Sequence, residues 1–396
     1  MSSKSKMRLL LLPFSWLYGL VIWCRNMMFE IGILNSTSYD IPVISIGNIT
    51  IGGTGKTPHT EYLAKLFGKD YQVAVLSRGY KRASKGFLLA GPESGLNDLG
   101  DEPLQMKRKF PELVVAVDKN RQHGIEMLSA DTMSPRIDVI LLDDAYQHRY
   151  VKPAISILLI DYNRLIMDDY LLPVGCLREP AHQSKRAHII IVTKCPETLR
   201  PIEIRILKKR FDLYPQQSIY LTSLTYGPLK SLKPVLANTD TDSAESYSDQ
   251  KAESHSGKMN SNGLTIEQIS EKKIPVLIIS GIASPEPFVN HVREYCPEAQ
   301  VMLYSDHHYF SKKDVQNIKL RFENIRSAGG IILTTEKDSM RIMDNSLFEV
   351  LLPYMYYQEL NIFFLEDEVE SFNKKIIDYV RINKRNSKLV SSTDAK

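Results

Sequence analysis

Residues 43–67, VISIGNITIGGTGKTPHTEYLAKLF, place a glycine-rich turn and a Lys-Thr pair between an apolar strand-like run and a helix-like run. This is the order of parts that cradles a polyphosphate. Relative to the pattern G-x-x-x-x-G-K-S/T, Thr50 stands where the first glycine is usual. Gly52, Gly53 and Gly55 still allow main-chain N–H groups to close on phosphate oxygens. The candidate cradle is Thr50, Ile51, Gly52, Gly53, Thr54, Gly55, Lys56 and Thr57. Lys56 would reach the β- and γ-phosphates and the Thr57 hydroxyl would ligate Mg²⁺. A helix starting at Lys56 adds the positive end of its dipole.

A second run, VILLDDAYQHR at 139–149, ends an apolar strand in two acids. Adjacent carboxylates repel, and a divalent cation is the usual reason to place them together, so Asp143 and Asp144 are candidate Mg²⁺ ligands. Gln147 and His148 follow and are candidates for hydrogen bonds to nucleotide, substrate or metal waters. In GDEP, Asp101 precedes Glu102 and Pro103 at the start of an expected helix. Two roles fit Asp101, a helix N-cap and a base that takes a proton from an attacking hydroxyl. The second needs a partner, and SDHHYF offers His307 and His308 beside Asp306, ahead of a helix capped by Ser311. Arg78, Arg121 and Arg178 lie beyond strands or in loops and are candidate phosphate clamps. Glu179, beside Arg178, is a further candidate metal ligand. Guanine readers carry an acid two places after a Thr-Lys pair; here Thr193-Lys194 is followed at that place by Pro196, so ATP is the expected nucleotide.

These residues need a scaffold. Near-continuous apolar runs at 72–80, 112–120, 137–148, 155–163 and 188–194 alternate with helical segments. Burial on both faces implies a doubly wound, mostly parallel sheet of the P-loop NTPase kind, with function at the carboxyl ends of its strands. The expected organisation is an α/β nucleotide-binding domain over 31–230 and a polar linker or insertion over 231–265. A smaller α/β domain follows over 266–396 and frays from Lys384. The linker reading rests on 237–263, where Ser, Asp, Asn and Lys leave almost nothing to bury. A length of 396 residues accommodates two cores, and a net charge of +4 demands no nucleic-acid partner. The four cysteines contain no C-x-x-C pair, which argues against a disulfide framework or a zinc site.

Residues 1–30 are expected to contact a membrane. Lys4, Lys6 and Arg8 precede LLLLPFSWLYGLVIWC at 9–24, a run short of the ~20 residues needed to span a bilayer. No small-residue cleavage site follows, so a secretory signal fits poorly. A basic, aromatic and apolar helix instead suits the interface, with Trp16, Tyr18 and Trp23 at headgroup level.

Taken in order, GNITIGGTGKTP, SRGYKR, GDEP, LLDDAYQHR, LLPVGCLREP, SGIASPEPF, DHHYF and TEKD closely resemble the tetraacyldisaccharide 4′-kinase family of lipid A biosynthesis. The resemblance implies transfer of the γ-phosphate of ATP, with Mg²⁺, to the 4′-hydroxyl of a tetraacyldisaccharide 1-phosphate, giving lipid IVA. It also implies work at the cytoplasmic face of the inner membrane; no obligate protein partner is evident in the sequence. By the same resemblance, Lys56 and Thr57 match the loop, Asp143 and Asp144 the acidic pair, and Asp101 the base. Its partner falls on His307, with His308 the alternative. Arg121, Gln147, His148, Arg178 and Glu179 match other active-site positions. Two rival readings share the loop: another P-loop enzyme with a soluble substrate, and a membrane-recruited switch ATPase.

Overall fold

Leucine-rich and β-branched runs form strands whose residues are buried on both faces, as expected for a parallel sheet. The computed structural model describes residues 11–232 and 264–393, with side chains to residue 383. The basic residues Lys4, Lys6 and Arg8 and the polar run 237–263 lie outside the described residues. The chain divides into two units, one formed by residues up to Tyr226 and from Leu360 onward, the other by Gly227–Glu359.

In the first unit the strands are β1 (Val43–Gly47), β2 (Val73–Ser77), β3 (Leu88–Leu89), β4 (Val114–Val117), β5 (Val139–Asp143), β6 (Ile155–Asp161), β7 (Ile189–Thr193) and β8 (Ser218–Ser231). Their order is β8-β7-β6-β1-β5-β2-β4-β3, parallel except where β3 meets β4. The central β1 lies between β5 and β6, with Ile46 paired to Asp143 on one side and Ile157 on the other. The turn after β1 and the acids at the end of β5 are therefore neighbours at one sheet edge. This is the doubly wound arrangement expected from the apolar runs, and its strand order changes direction at the glycine turn that follows β1.

The second unit holds β9 (Val276–Ser280), β10 (Gln300–Leu303), β11 (Ile331–Thr335) and β12 (Met355–Phe364), in the order β10-β9-β11-β12 and all parallel. Phe310, Ile318, Phe322 and Phe348 pack with Leu277, Ile279 and Ile332 to form its core.

The division differs from the expected boundary, because the chain beyond Leu360 belongs to the first unit. The helix Val369–Thr393 explains why. Phe372, Ile376 and Val380 recur at helical spacing and are almost fully buried. Phe372 packs at 4.7 Å from Phe364 and 5.1 Å from Tyr220, between ring centroids, and the Tyr62 hydroxyl donates to Asn373 Oδ1 at 2.7 Å. The end expected to fray from Lys384 continues as helix to Thr393.

The helix Leu12–Glu30 inverts the usual amphipathic arrangement. Its buried residues are Ser15, Asn26 and Phe29, while Phe14, Trp16, Leu17, Leu20, Val21 and Trp23 are exposed. Polar groups make the attachment: Ser15 Oγ donates to Leu171 O and Tyr18 Oη to Arg178 O, both at 2.9 Å. Tyr18 thus faces the protein, not the headgroup level expected for it, because its hydroxyl has a carbonyl to satisfy. No helix among the described residues is long and apolar enough to cross a membrane.

The helix Lys56–Phe67 is fixed by its buried histidine. His59 Nδ1 lies 2.7 Å from the carbonyl of Gly55, which can only accept, so Nδ1 carries the proton and Nε2 accepts from the Thr222 hydroxyl at 3.0 Å. Burial lowers the His59 pKa to about 4, opposed by the Gly55 carbonyl. A histidine held neutral in the fold and free to protonate at about 6.5 when unfolded stabilises the protein above that pH. That stability is lost as pH falls towards 4.

Two outcomes are expected. The unfolding free energy should fall by up to about 3 kcal/mol between pH 7 and 4 on account of His59. The His59→Gln variant, followed by denaturant titration across that range, should show a flatter profile. Phe372→Ala should cost about 3–5 kcal/mol, read by denaturant titration. A cost near zero would mean that the carboxyl-terminal helix does not contribute to the core of the first unit.

Candidate active site

The turn after β1 is held from both sides and left open in the middle. Its positive φ angles fall on Gly52 (101°) and Gly55 (80°), where a side chain would be strained. Thr50 needs no such freedom. It is buried, and it bridges to Leu177, which accounts for a threonine where a glycine is usual. Asn48 Nδ2 donates to Thr54 Oγ1 at 2.8 Å, and Thr193 Oγ1 donates to Thr54 O at 2.9 Å. On the far side Ile51 N bonds Cys176 O at 2.8 Å and Arg164 Nη2 donates to Ile51 O at 2.7 Å. Ile51, Gly52 and Gly53 stay exposed, and a Cβ added to Gly53 would meet nothing within 4 Å. Gly55 then caps the helix that begins at Lys56, which directs its free N–H groups into the turn.

Lys56 Nζ lies 3.5 Å from Asp144 Oδ1, and Arg178 Nη1 lies 3.6 Å from Asp144 Oδ2. Asp144 adopts φ +48°, which turns it away from the strand line that ends at Asp143. Burial pushes the Asp144 carboxyl up, but Lys56, Arg178 and Arg121 outweigh it and hold the group below the usual carboxylate range. Its neighbour behaves oppositely. Asp143 is 1% exposed and takes weak hydrogen bonds from Thr60 Oγ1 at 3.3 Å and Ser77 Oγ at 3.4 Å. Burial first, then the charges of Glu102 and Asp144, raise its pKa to about 7 against the pull of Lys56 and Arg121. Negative charge is thus crowded at one strand end beside the exposed glycine turn.

Several expected residues surround this pair. Arg121 is buried and donates to Asp118 O at 2.6 Å and Asp143 O at 3.1 Å, so it braces the strand end through carbonyls. Desolvation lowers its pKa to about 10. Gln147 Nε2 donates to Asn48 O at 2.5 Å, and Arg25 of the amino-terminal helix donates to Gln147 O at 2.8 Å. Burial, with help from Arg121, Arg25 and Arg78, lowers the His148 pKa to about 4. Arg78 is exposed at the end of β2. Glu179 is fully buried and paired with Arg186 and, at 3.9 Å, with Arg25. Two guanidinium groups thus already pair with the carboxylate read as a candidate metal ligand. Among the described residues no three His, Cys, Asp or Glu side chains converge as a ligand set.

Asp101 opens the helix Asp101–Lys109 as its first residue, and Gly100, at φ 84°, is the cap. The expected N-cap role thus falls one residue earlier, because the turn needs a positive φ. Asp101 is buried, and its Oδ1 accepts from Glu102 N at 3.1 Å. Gln105 and Lys109 of the same helix bond the two carboxylate oxygens of Glu61 at 2.8 and 2.7 Å, which ties it to the helix that starts at Lys56. In the second unit, His307 has φ +56° and places Nε2 3.3 Å from Lys337 Nζ. His308 Nε2 faces Asp314 Oδ2 at 3.1 Å and its ring stacks on Tyr304, so the two histidines have different surroundings. Asn48, His59, Ser77, Thr60, Glu61 and Arg25 also shape the site. None stands in a phosphate motif at a telling position, and only contacts across the fold reveal them.

A family profile described as tetraacyldisaccharide-1-P 4′-kinase matches residues 7–380. The tetraacyldisaccharide 4′-kinase of Phocaeicola vulgatus is 48% identical over 378 residues, covering 95% of this chain and 96% of that protein. Its namesake from Bacteroides thetaiotaomicron is 47% identical over 378 residues, covering 95% and 94%. Among solved structures, LpxK from Aquifex aeolicus in complex with ATP superposes with a TM-score of 0.67 at 26% identity, covering 94% of this chain and 99% of that one. The profile match runs through the loop, the acid-bearing strand and the second unit, and the chain therefore belongs to the tetraacyldisaccharide 4′-kinase family.

Proposed function

We infer that this protein transfers the γ-phosphoryl group of ATP to the 4′-hydroxyl of a tetraacyldisaccharide 1-phosphate, giving lipid IVA. The observation that carries this reading is the pairing of Lys56 with Asp144 beside buried Asp143, at the mouth of an open glycine turn. Phosphoryl transfer has a loose transition state, so positioning and charge neutralisation supply most of the rate. Main-chain N–H groups from Gly52 to Lys56 receive the phosphate oxygens. Lys56 and Arg178 already rest on Asp144 and are pre-positioned cations that an incoming triphosphate engages. Arg121 holds the strand end rigid, while Gln147, His148 and Arg78 line the approach.

The donors at the strand end fit Mg²⁺. The Asp143 carboxylate is desolvated and raised by neighbouring acids, a situation that a divalent cation relieves. Thr57, Asp143 and Asp144 would hold the ion. One or two carboxylates with phosphates and waters is its ordinary shell, so a larger protein cluster is not required. Glu179, occupied by Arg186 and Arg25, acts instead as an anchor for the amino-terminal helix. When bound, Mg²⁺ neutralises charge on the β- and γ-phosphates. Asp101 accepts the proton of the 4′-hydroxyl as its oxygen bonds the γ-phosphorus and the bond to the β-phosphate oxygen breaks, releasing ADP. His307 is the proposed partner of Asp101.

The acceptor carries four acyl chains, and exposing each CH₂ to water costs about 0.8 kcal/mol. The enzyme therefore comes to the bilayer. The outward Phe14, Trp16, Leu17, Leu20 and Trp23 supply an apolar surface for this, at the cytoplasmic face of the inner membrane, where ATP is available.

The direct test incubates purified protein with labelled ATP, Mg²⁺ and a tetraacyldisaccharide 1-phosphate in detergent micelles. Labelled lipid is expected. Phosphate release indifferent to the lipid would support a switch ATPase instead. Lys56→Ala should cut kcat at least about a hundredfold, because the developing charge loses its nearest fixed cation. Asp101→Asn should lower kcat by roughly 10²–10⁴ while the KM for ATP holds. An unchanged rate would confine Asp101 to shaping its helix.

A further inference from the structure

Three motifs of the second unit meet at one buried ion pair: Ser280-Gly281 at the end of β9, Asp306-His307-His308 after β10, and Thr335-Glu336-Lys337-Asp338 from the end of β11. Asp338 and Arg341 are 0% and 5% exposed, and Arg341 Nη2 lies 2.8 Å from Asp338 Oδ1. Asp338 Oδ2 accepts from Gly281 N at 2.9 Å, Thr335 Oγ1 at 2.7 Å and Ser280 Oγ at 3.4 Å. Arg341 Nη1 donates to Gly281 O and to His308 O, each at 3.3 Å. The same Gly281 O accepts from His307 N at 3.1 Å.

The network thus grips the backbone on both sides of His307. That residue is in the left-handed region, φ +56°, where a non-glycine residue costs about 1–2 kcal/mol and persists only if its surroundings over-determine it. A buried ion pair is a poor source of net stability, since desolvation offsets the attraction. Its retention is better explained by what it fixes. Lys337, one residue before Asp338, reaches the imidazole itself, with Nζ 3.3 Å from Nε2. Packing at Gly281 is equally tight: a Cβ there would meet Asp338 Oδ1 and Ser305 O at 3.3 Å.

We propose that Asp338 and Arg341 are positioning residues that hold His307 in its left-handed conformation for phosphoryl transfer. The proposal rests on the reading above that His307 serves the reaction. The test is a set of double-mutant cycles in the lipid phosphorylation assay, combining Arg341→Met or Gly281→Ala with His307→Ala. Gly281→Ala disturbs the clamp without leaving a buried charge unpaired, so it remains informative if Arg341→Met does not fold. Either single variant should lower kcat by about tenfold or more with the KM for ATP unchanged, and should add little further loss once His307 is alanine. Losses that multiply undiminished onto His307→Ala, or full activity of the folded single variants, would overturn the clamp alone. Full activity of His307→Ala would remove the histidine from the reaction, and the clamp's catalytic purpose with it.

Discussion

An ammonium group held against a carboxylate at the mouth of a glycine turn is the interaction around which the first unit is organised. Lys56 and Asp144 meet at 3.5 Å because β1 and β5 are adjacent and in register, Ile46 beside Asp143. The parallel sheet thereby delivers a cation from one strand end and two acids from the next. The cations split the acids: burial raises both, but Lys56, Arg178 and Arg121 hold Asp144 below the usual carboxylate range, while desolvation and neighbouring charge push Asp143 up to about 7. A site with cations already held in place and one acid raised in pKa gains from both a polyphosphate and a divalent ion.

The amino-terminal helix follows a related logic. It turns its serine, asparagine and tyrosine hydroxyl towards the protein and its tryptophans and leucines outward. In water alone that orientation wastes apolar surface. Against a bilayer it satisfies the polar groups on the protein and the apolar ones in the lipid. Arg25 links this helix to the residues around the glycine turn through Gln147 O and Glu179, so the outward apolar element and that turn share one set of contacts.

Much of the site was legible in the residues themselves. A nest of backbone N–H groups needs a contiguous stretch of small residues, and a strand-borne acid needs an uninterrupted apolar run before it. Both leave local patterns, and Gly52 to Thr57 and Val139 to Asp144 carry them. Asp101 was visible as an acid at a helix start, although Gly100 performs the capping. The pairing of Glu179 with Arg186 and Arg25 was not legible, because those residues lie 7 and 154 residues away with no motif to announce them.

The sequence by itself determined the doubly wound class, the glycine turn before a helix, the acidic strand end and the apolar amino terminus, since each depends on neighbours along the chain. Only the tertiary structure decided that Val369–Thr393 returns to the first unit, that His59 joins Gly55 to Thr222, and that Asp338 and Arg341 grip the loop bearing His307. Those arrangements come from burial and from hydrogen bonds between distant residues. Periodicity says which face of an element is hidden, but not which partner hides it.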